Sequence, residues 1–205
     1  MRSIFFVRLG ETENNVSGKW SGRKSDSPLT LKGHEQSRAI AAKLLSKNIV
    51  AVYSSPSSRV IDSAKYLTES IKKDIIPTYE FQEIDLGDFD GKEGKDAAQT
   101  EIGNKFTVNP SSICIPGATE TLEESKENAL AKISSILAEN LEGSIAVYTH
   151  GGTMRLIILG LLGIGPDLSC FWRFRIGNSA VAHIAQQQNG SFELQDLVNF
   201  GGVIL

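Results

Sequence analysis

Short apolar runs at residues 2–8, 49–53 and 144–149 each lead through a loop into a segment with helical spacing, and this alternation constrains the chain more than any other feature. The first run is rich in Ile, Phe and Val, as a buried strand is. After it comes a loop full of Gly, Ser, Asn and Asp, from Gly10 to Pro28. Thr30 stands where an N-cap belongs, which predicts a helix over roughly 31–47 with Ile40, Leu44 and Leu45 on its inner face. Ile49 to Tyr53 reads as a second buried strand, turned by Ser54-Ser55-Pro56 into a helix near 57–73, and Ile75-Ile76 begins a third. Leu122, Ala129, Ile133, Ile136, Leu137 and Leu141 recur at helical spacing over 121–141, with Gly143 as the stop. Ser144 to Thr149 is a further strand, Gly151-Gly152 opens a helix to about Leu162, and residues 180–187 and 192–198 pair as a hairpin around Asn189-Gly190. The expected fold is an α/β three-layer sandwich, a mainly parallel sheet with helices on both faces, in one domain over 1–205.

Between about 84 and 120 the pattern weakens into Gly, Asp, Asn and Ser, with one segment bounded by Pro110 and Pro116. A stretch of that length is expected to be a cap-like insertion over a site.

Composition narrows the partners. A net charge of −3 gives no general attraction to nucleic acid or to an anionic membrane, so a bound anion needs a local cluster of positive groups. Cys114 and Cys170 have no metal-ligand spacing and cannot build a disulfide framework, which fits a reducing compartment. The apolar start is too short for a signal-peptide core, and Leu156 to Leu162 is far below membrane-spanning length. A cytoplasmic location is expected, with no metal, no cofactor and no nucleic-acid or membrane partner; self-association as a homodimer stays open.

Ligands of an open parallel sheet bind beyond the carboxyl ends of its strands. That rule brings together Arg8-Leu9-Gly10-Glu11-Thr12, Ser54 through Arg59, and Thr149-His150-Gly151-Gly152. Two arginines, a histidine, and helix starts after Ser55 and Gly151 make an anion pocket. Arg155 and Arg173 read as solvated surface charges ahead of the alternative, an extended basic rim; Trp20 and Trp172 read as core or cap packing, and His34 and His183 as structural or surface residues.

The same residues resemble the histidine phosphatase (phosphoglycerate mutase-like) family. Its first motif, Arg-His-Gly-Glu-Thr and then Asn, is similar to Arg8 through Thr12 with Asn15, except that leucine stands at position 9. Asp26-Ser27-Pro28-Leu29-Thr30 with Gly33 and Gln36, Ser54 through Arg59 with Ser63-Ala64, and Glu83 ahead of Gly87 and Gly91 follow in order. Pro116-Gly117 resembles a Pro-Gly-Gly-Glu-Ser site from which Ala118-Thr119-Glu120 departs, and Thr149 through Gly152 and Asn178-Ser179 complete the series.

This resemblance implies that Arg8, Arg59 and His150 hold a phosphoryl group, with hydrogen bonds from Asn15, Gly22 and the Gly151 N–H. Glu83 would be the general acid, and the residue at position 9 the imidazole that attacks phosphorus. Leu9 has no lone pair and cannot form a phosphoramidate. The first reading is therefore a protein that binds a phosphorylated small molecule or inorganic phosphate, its covalent phosphomonoesterase chemistry lost. Two alternatives keep an enzyme: acid–base chemistry by Glu83 and His150 without a covalent intermediate, or an active phosphatase or mutase whose histidine was engineered to leucine. A fourth is a scaffold with an empty pocket. Cys114, in the cap region, is a conceivable substitute nucleophile.

Overall fold

The computed structural model describes residues 2–110, 113–139, 142–165 and 167–199. Its six-stranded sheet has the order β3-β2-β4-β1-β5-β6. The strands are β1 (Arg2–Arg8), β2 (Ile49–Ser54), β3 (Ile75–Pro77), β4 (Ser144–Thr149), β5 (Val181–Gln186) and β6 (Phe192–Val198). The first four run parallel, while β5 lies antiparallel to β1 and pairs with β6 in the expected hairpin.

Alternation along the central strands divides the core between two faces. Ile4, Phe6, Ile145 and Val147 face helices α6 (Leu122–Ala138) and α7 (Gly151–Leu162), which contribute Ile133, Met154 and Ile157. Phe5, Val7, Ala146 and Tyr148 face the opposite layer, α2 (Leu31–Leu44) and α3 (Ser58–Ile71), against Ile40, Leu44, Val60 and Leu67. Helices on both sides of a mostly parallel sheet make this an α/β fold.

Local chemistry sets the boundaries. The Thr30 hydroxyl accepts from the Gly33 N–H and caps α2. The helix then tightens into a 3₁₀ turn over Leu45–Lys47, ended by Asn48 in the left-handed region at φ 48°. Tightening rotates Leu45 off the inner face, and it is 51% exposed; the expectation that it packs inward is corrected. Thr121 and Glu124 form a reciprocal capping box at the start of α6. That helix ends at Ala138, and Leu141, expected on its inner face, lies outside the described residues.

Two loops carry more structure than their composition suggests. The first contains α1 (Glu13–Ser17), begun by a second capping box between Thr12 and Asn15. The stretch 84–120 contains α4 (Gly94–Gln99) and α5 (Glu101–Val108). It builds its own apolar cluster from Leu86, Phe89, Phe106 and Ile115, joined by Leu156, Leu168 and Phe171. Helices this short are marginal in isolation, and the shared cluster is what holds them. Among the described residues no helix is long and apolar enough to cross a membrane.

Candidate functional site

A cavity of about 330 Å³ opens at the carboxyl ends of β1 and β4, where the strand-end rule places a ligand. Arg8, Leu9, Asn15, Arg59, Glu83, His150 and Gly151 all line it. Gly22 does not, because its N–H donates to Asp90 Oδ1 at 2.9 Å.

Arg8 leaves the end of β1 and donates from Nη1 to the Ile176 carbonyl at 2.6 Å. Its Nε is sealed from solvent with no hydrogen-bond partner among the described residues. Burial lowers the guanidinium to about 10; Glu83 opposes that shift, and Arg155 and Arg175 add to it.

Leu9 is held by its backbone. Its N–H donates to the Thr149 carbonyl at 3.0 Å and its carbonyl accepts from the Ser179 N–H at 3.0 Å. The side chain is 5% exposed, packed in the α2–α3 layer and turned to the cavity wall. Gly10 follows because the loop presses on α2: a Cβ there would come within 2.3 Å of the Gly33 carbonyl oxygen.

Arg59, at the start of α3, is buried among acceptors. Nη1 donates to the Ser25 carbonyl and, at 3.0 Å, to Asp26 Oδ1; Nη2 donates to the Gly22 carbonyl at 2.8 Å. Nη2 also lies 3.3 Å from His150 Nδ1. A guanidinium can only donate, so Nδ1 accepts, and the imidazole proton sits on Nε2, 2.8 Å from Ser55 Oγ. The imidazole is thus fixed as one neutral tautomer. Burial first, and then Arg59, Arg8 and Arg23, hold His150 well below the usual histidine range.

That depression has a sign for stability. Unfolded histidine takes up a proton below about pH 6.5 while buried His150 stays neutral, so the unfolded state binds more protons. Stability from this group is fully present above about pH 6.5 and is lost as pH falls toward the depressed native value. Urea unfolding of the parent and of His150→Asn at pH 7.5 and 5.5 checks it. The parent should lose stability more steeply than the variant over that interval, by on the order of 1 kcal/mol. Equal losses would mean that His150 ionises normally in the folded protein.

Glu83 sits at the start of α7 and is occupied by it. Oε1 accepts from the Ile84 and Thr153 N–H groups, each at 3.0 Å, and Oε2 from the Gly152 N–H at 3.2 Å. Gly152 permits the approach, since a Cβ there would stand 2.6 Å from Oε1. Asn15 is also engaged: its Oδ1 accepts from the Thr12 N–H and from Asn178 Nδ2, the latter at 2.7 Å.

Arg155 is not the solvated surface charge expected. It lines the cavity, its Nε is buried without a partner among the described residues, and its guanidinium lies 4.8 Å over the Trp172 ring and 5.6 Å over Phe171. The signal was its spacing, four residues after Gly151 on the helix that points at the site, which puts both on one face. Arg173 is exposed, as expected. Ser55, the partner of His150, lies in the Ser54 through Arg59 segment without any spacing that marks it as a site residue. His34 pairs with the Tyr66 hydroxyl at 3.0 Å, and His183 stacks on Phe5. Cys114 is exposed and lines a separate cavity with Thr121 and Leu122.

Comparison with known proteins places the sequence and the fold in one family. The profile of the histidine phosphatase superfamily (branch 1) matches residues 4–199. The chain is 31% identical over 168 residues to a 2,3-bisphosphoglycerate-dependent phosphoglycerate mutase of Thermoplasma acidophilum, covering 82% of this chain and 80% of that one. It is 26% identical over 186 residues to a putative phosphoserine phosphatase 2 of Hydrogenobacter thermophilus, covering 90% and 89%. Among solved structures, Bacillus stearothermophilus YhfR superposes with a TM-score of 0.87 at 24% identity, covering 99% and 98%. An Entamoeba histolytica phosphoserine phosphatase in complex with 3-phosphoglyceric acid gives 0.85 at 22%, covering 96% of each chain. A profile spanning nearly the whole sheet, together with a relative above 30% identity, establishes that the chain belongs to the histidine phosphatase superfamily, branch 1.

Proposed function

We propose that this protein binds a phosphorylated small molecule, or inorganic phosphate, in the cavity at the ends of β1 and β4 without forming a phosphoenzyme. The observation that carries the reading is the composition of the inner wall. Three guanidinium side chains and a neutral imidazole surround a floor whose residue after Arg8 is a buried hydrocarbon, Leu9. The histidine phosphatase mechanism needs a nitrogen nucleophile in that motif, and leucine supplies none.

The polar residues divide the remaining work. Arg8 and Arg155 bring buried guanidinium charge to the cavity lining, and a bound anion offsets the cost of burying it. Gly151 adds an N–H at the start of α7, where the helix dipole favours negative charge. Arg59 gives its donors to the protein and acts by field and by fixing His150. The hydrogen bonds on Glu83 keep it as the cap of α7, and it could act as a proton donor only by leaving them.

The test is direct. Phosphate, sulfate or vanadate should bind the purified protein at millimolar concentration or below in calorimetry, and Arg8→Gln should weaken that binding about tenfold or more. The unaltered protein should hydrolyse p-nitrophenyl phosphate no faster than Arg8→Gln does. No anion binding at millimolar concentration overturns the proposal, as does hydrolysis at ordinary enzymatic rates.

A further inference from the structure

The phosphoryl end leaves much of the cavity unfilled, since its volume of about 330 Å³ is in the range of sites for whole small molecules. The wall facing the sheet comes from β1, α3, β4 and α7 and carries the charges already described. The remaining lining forms a second, mainly apolar wall from Trp20, Leu86, Phe106, Phe171 and Trp172, with Lys19, Ser21 and Thr107 among its polar members.

Trp172 is the exposed aromatic residue of that wall. It is 40% exposed, although Phe106 and Phe171 meet it edge-on at 5.6 and 4.8 Å. Its indole N–H already donates to the Phe106 carbonyl at 2.7 Å, so it offers a ligand only hydrocarbon. Trp20 joins the same cluster, 5.4 Å from Phe106. Arg155 stands at the seam between the halves, stacked on Trp172 and bonded through Nη1 to the Gly151 carbonyl at 3.0 Å.

A second anionic group on the ligand would find little here. Lys19 is the cationic residue that lines this wall, and it is exposed. Arg23 is committed to Glu120 and to the Glu83 carbonyl. From this we infer that the ligand is a phosphate monoester of an aromatic or similarly flat apolar alcohol, its ring resting against Trp172 and Trp20. The inference rests on the phosphate-binding reading above and adds the chemistry of the organic half. Apolar contact supplies affinity where a carboxylate would lie unpaired.

Phenyl phosphate and methyl phosphate carry the same charge and differ in the ring, so their affinity ratio in calorimetry with the intact protein isolates this wall. Phenyl phosphate should bind about tenfold or more tightly than methyl phosphate, and 3-phosphoglycerate should bind no more tightly than methyl phosphate. Trp172→Ala should collapse the phenyl-to-methyl ratio to within about twofold. Should that variant not fold, Trp20→Leu serves, with the ratio falling by a smaller factor. Equal binding of the two esters, or a preference for 3-phosphoglycerate over phenyl phosphate, overturns the inference and leaves phosphate binding standing. A ratio unmoved by Trp172→Ala overturns it as well. If neither ester nor inorganic phosphate binds, both readings fall together.

Discussion

Leu9→His should create phosphatase activity and a phosphoenzyme that is labile to acid and stable to base. The position lies one residue beyond Arg8 and within the cavity that His150, Arg155 and Gly151 also line. Its backbone is fixed on both sides by Thr149 and Ser179, so an imidazole built there would project from the same strand end as the leucine. Loss of a nucleophile costs on the order of 10⁶ in turnover in a serine protease, or about 8 kcal/mol of barrier. Regaining even half of that exponent gives an increase of roughly 10³ in p-nitrophenyl phosphate hydrolysis over the parent. A stability cost of about 1–3 kcal/mol accompanies the change, because imidazole replaces a side chain that packs with Phe5, Val7 and Leu29. Steady-state assays and radiolabel trapping followed by acid and base treatment check it. A variant that binds phosphate yet neither turns over nor labels would mean that the pocket differs from a catalytic one beyond position 9. Pure binding, or non-covalent acid–base chemistry by Glu83 and His150, would then gain.

Arg59→Ala should cost about 3–5 kcal/mol of folding stability. Arg59 is 2% exposed, and its removal orphans the carbonyls of Gly22 and Ser25, leaves Asp26 without its cation, and empties space beside His150. For a domain of this size the loss corresponds to roughly 10 °C in Tm. Lys65→Ala supplies the contrast: it breaks the Lys65–Asp62 pair, which is exposed on α3, and should change stability by at most about 0.5 kcal/mol. Differential scanning calorimetry distinguishes the two. Equal, small shifts would mean that the loop from Gly22 to Asp26 is held by contacts other than Arg59.

The sequence alone determined the architecture and which charged residues gather at one edge of the sheet. Short apolar runs marked β1, β2 and β4 as strands buried on both faces, and the 3.6 period marked the inner face of α6, because such patterns follow from backbone geometry. Turn chemistry marked one helix start, where the Thr30 hydroxyl caps α2, while the Thr121 cap of α6 emerged only in the structure. Given parallel strands, Arg8, Arg59 and His150 had to approach one another, since a parallel sheet gathers its strand ends at one edge.

Tertiary structure decided what those residues are free to do. No spacing indicates that Arg59 spends its donors on Gly22, Ser25 and Asp26, that Glu83 caps α7, or that Asp90 takes the Gly22 amide. All of these contacts join segments more than 30 residues apart. The stretch 84–120 was opaque for the same reason: α4 and α5 are too short to carry a periodic signal, and their stability comes from a cluster shared with Leu156 and Phe171. Arg155 is the sharpest case. Its four-residue step from Gly151 was visible in the chain, but its environment was not, because Trp172 and Phe171 reach it only when the segment after α7 folds back over the helix start. A guanidinium in water and one stacked on two aromatic rings have the same sequence, and only the packing separates them.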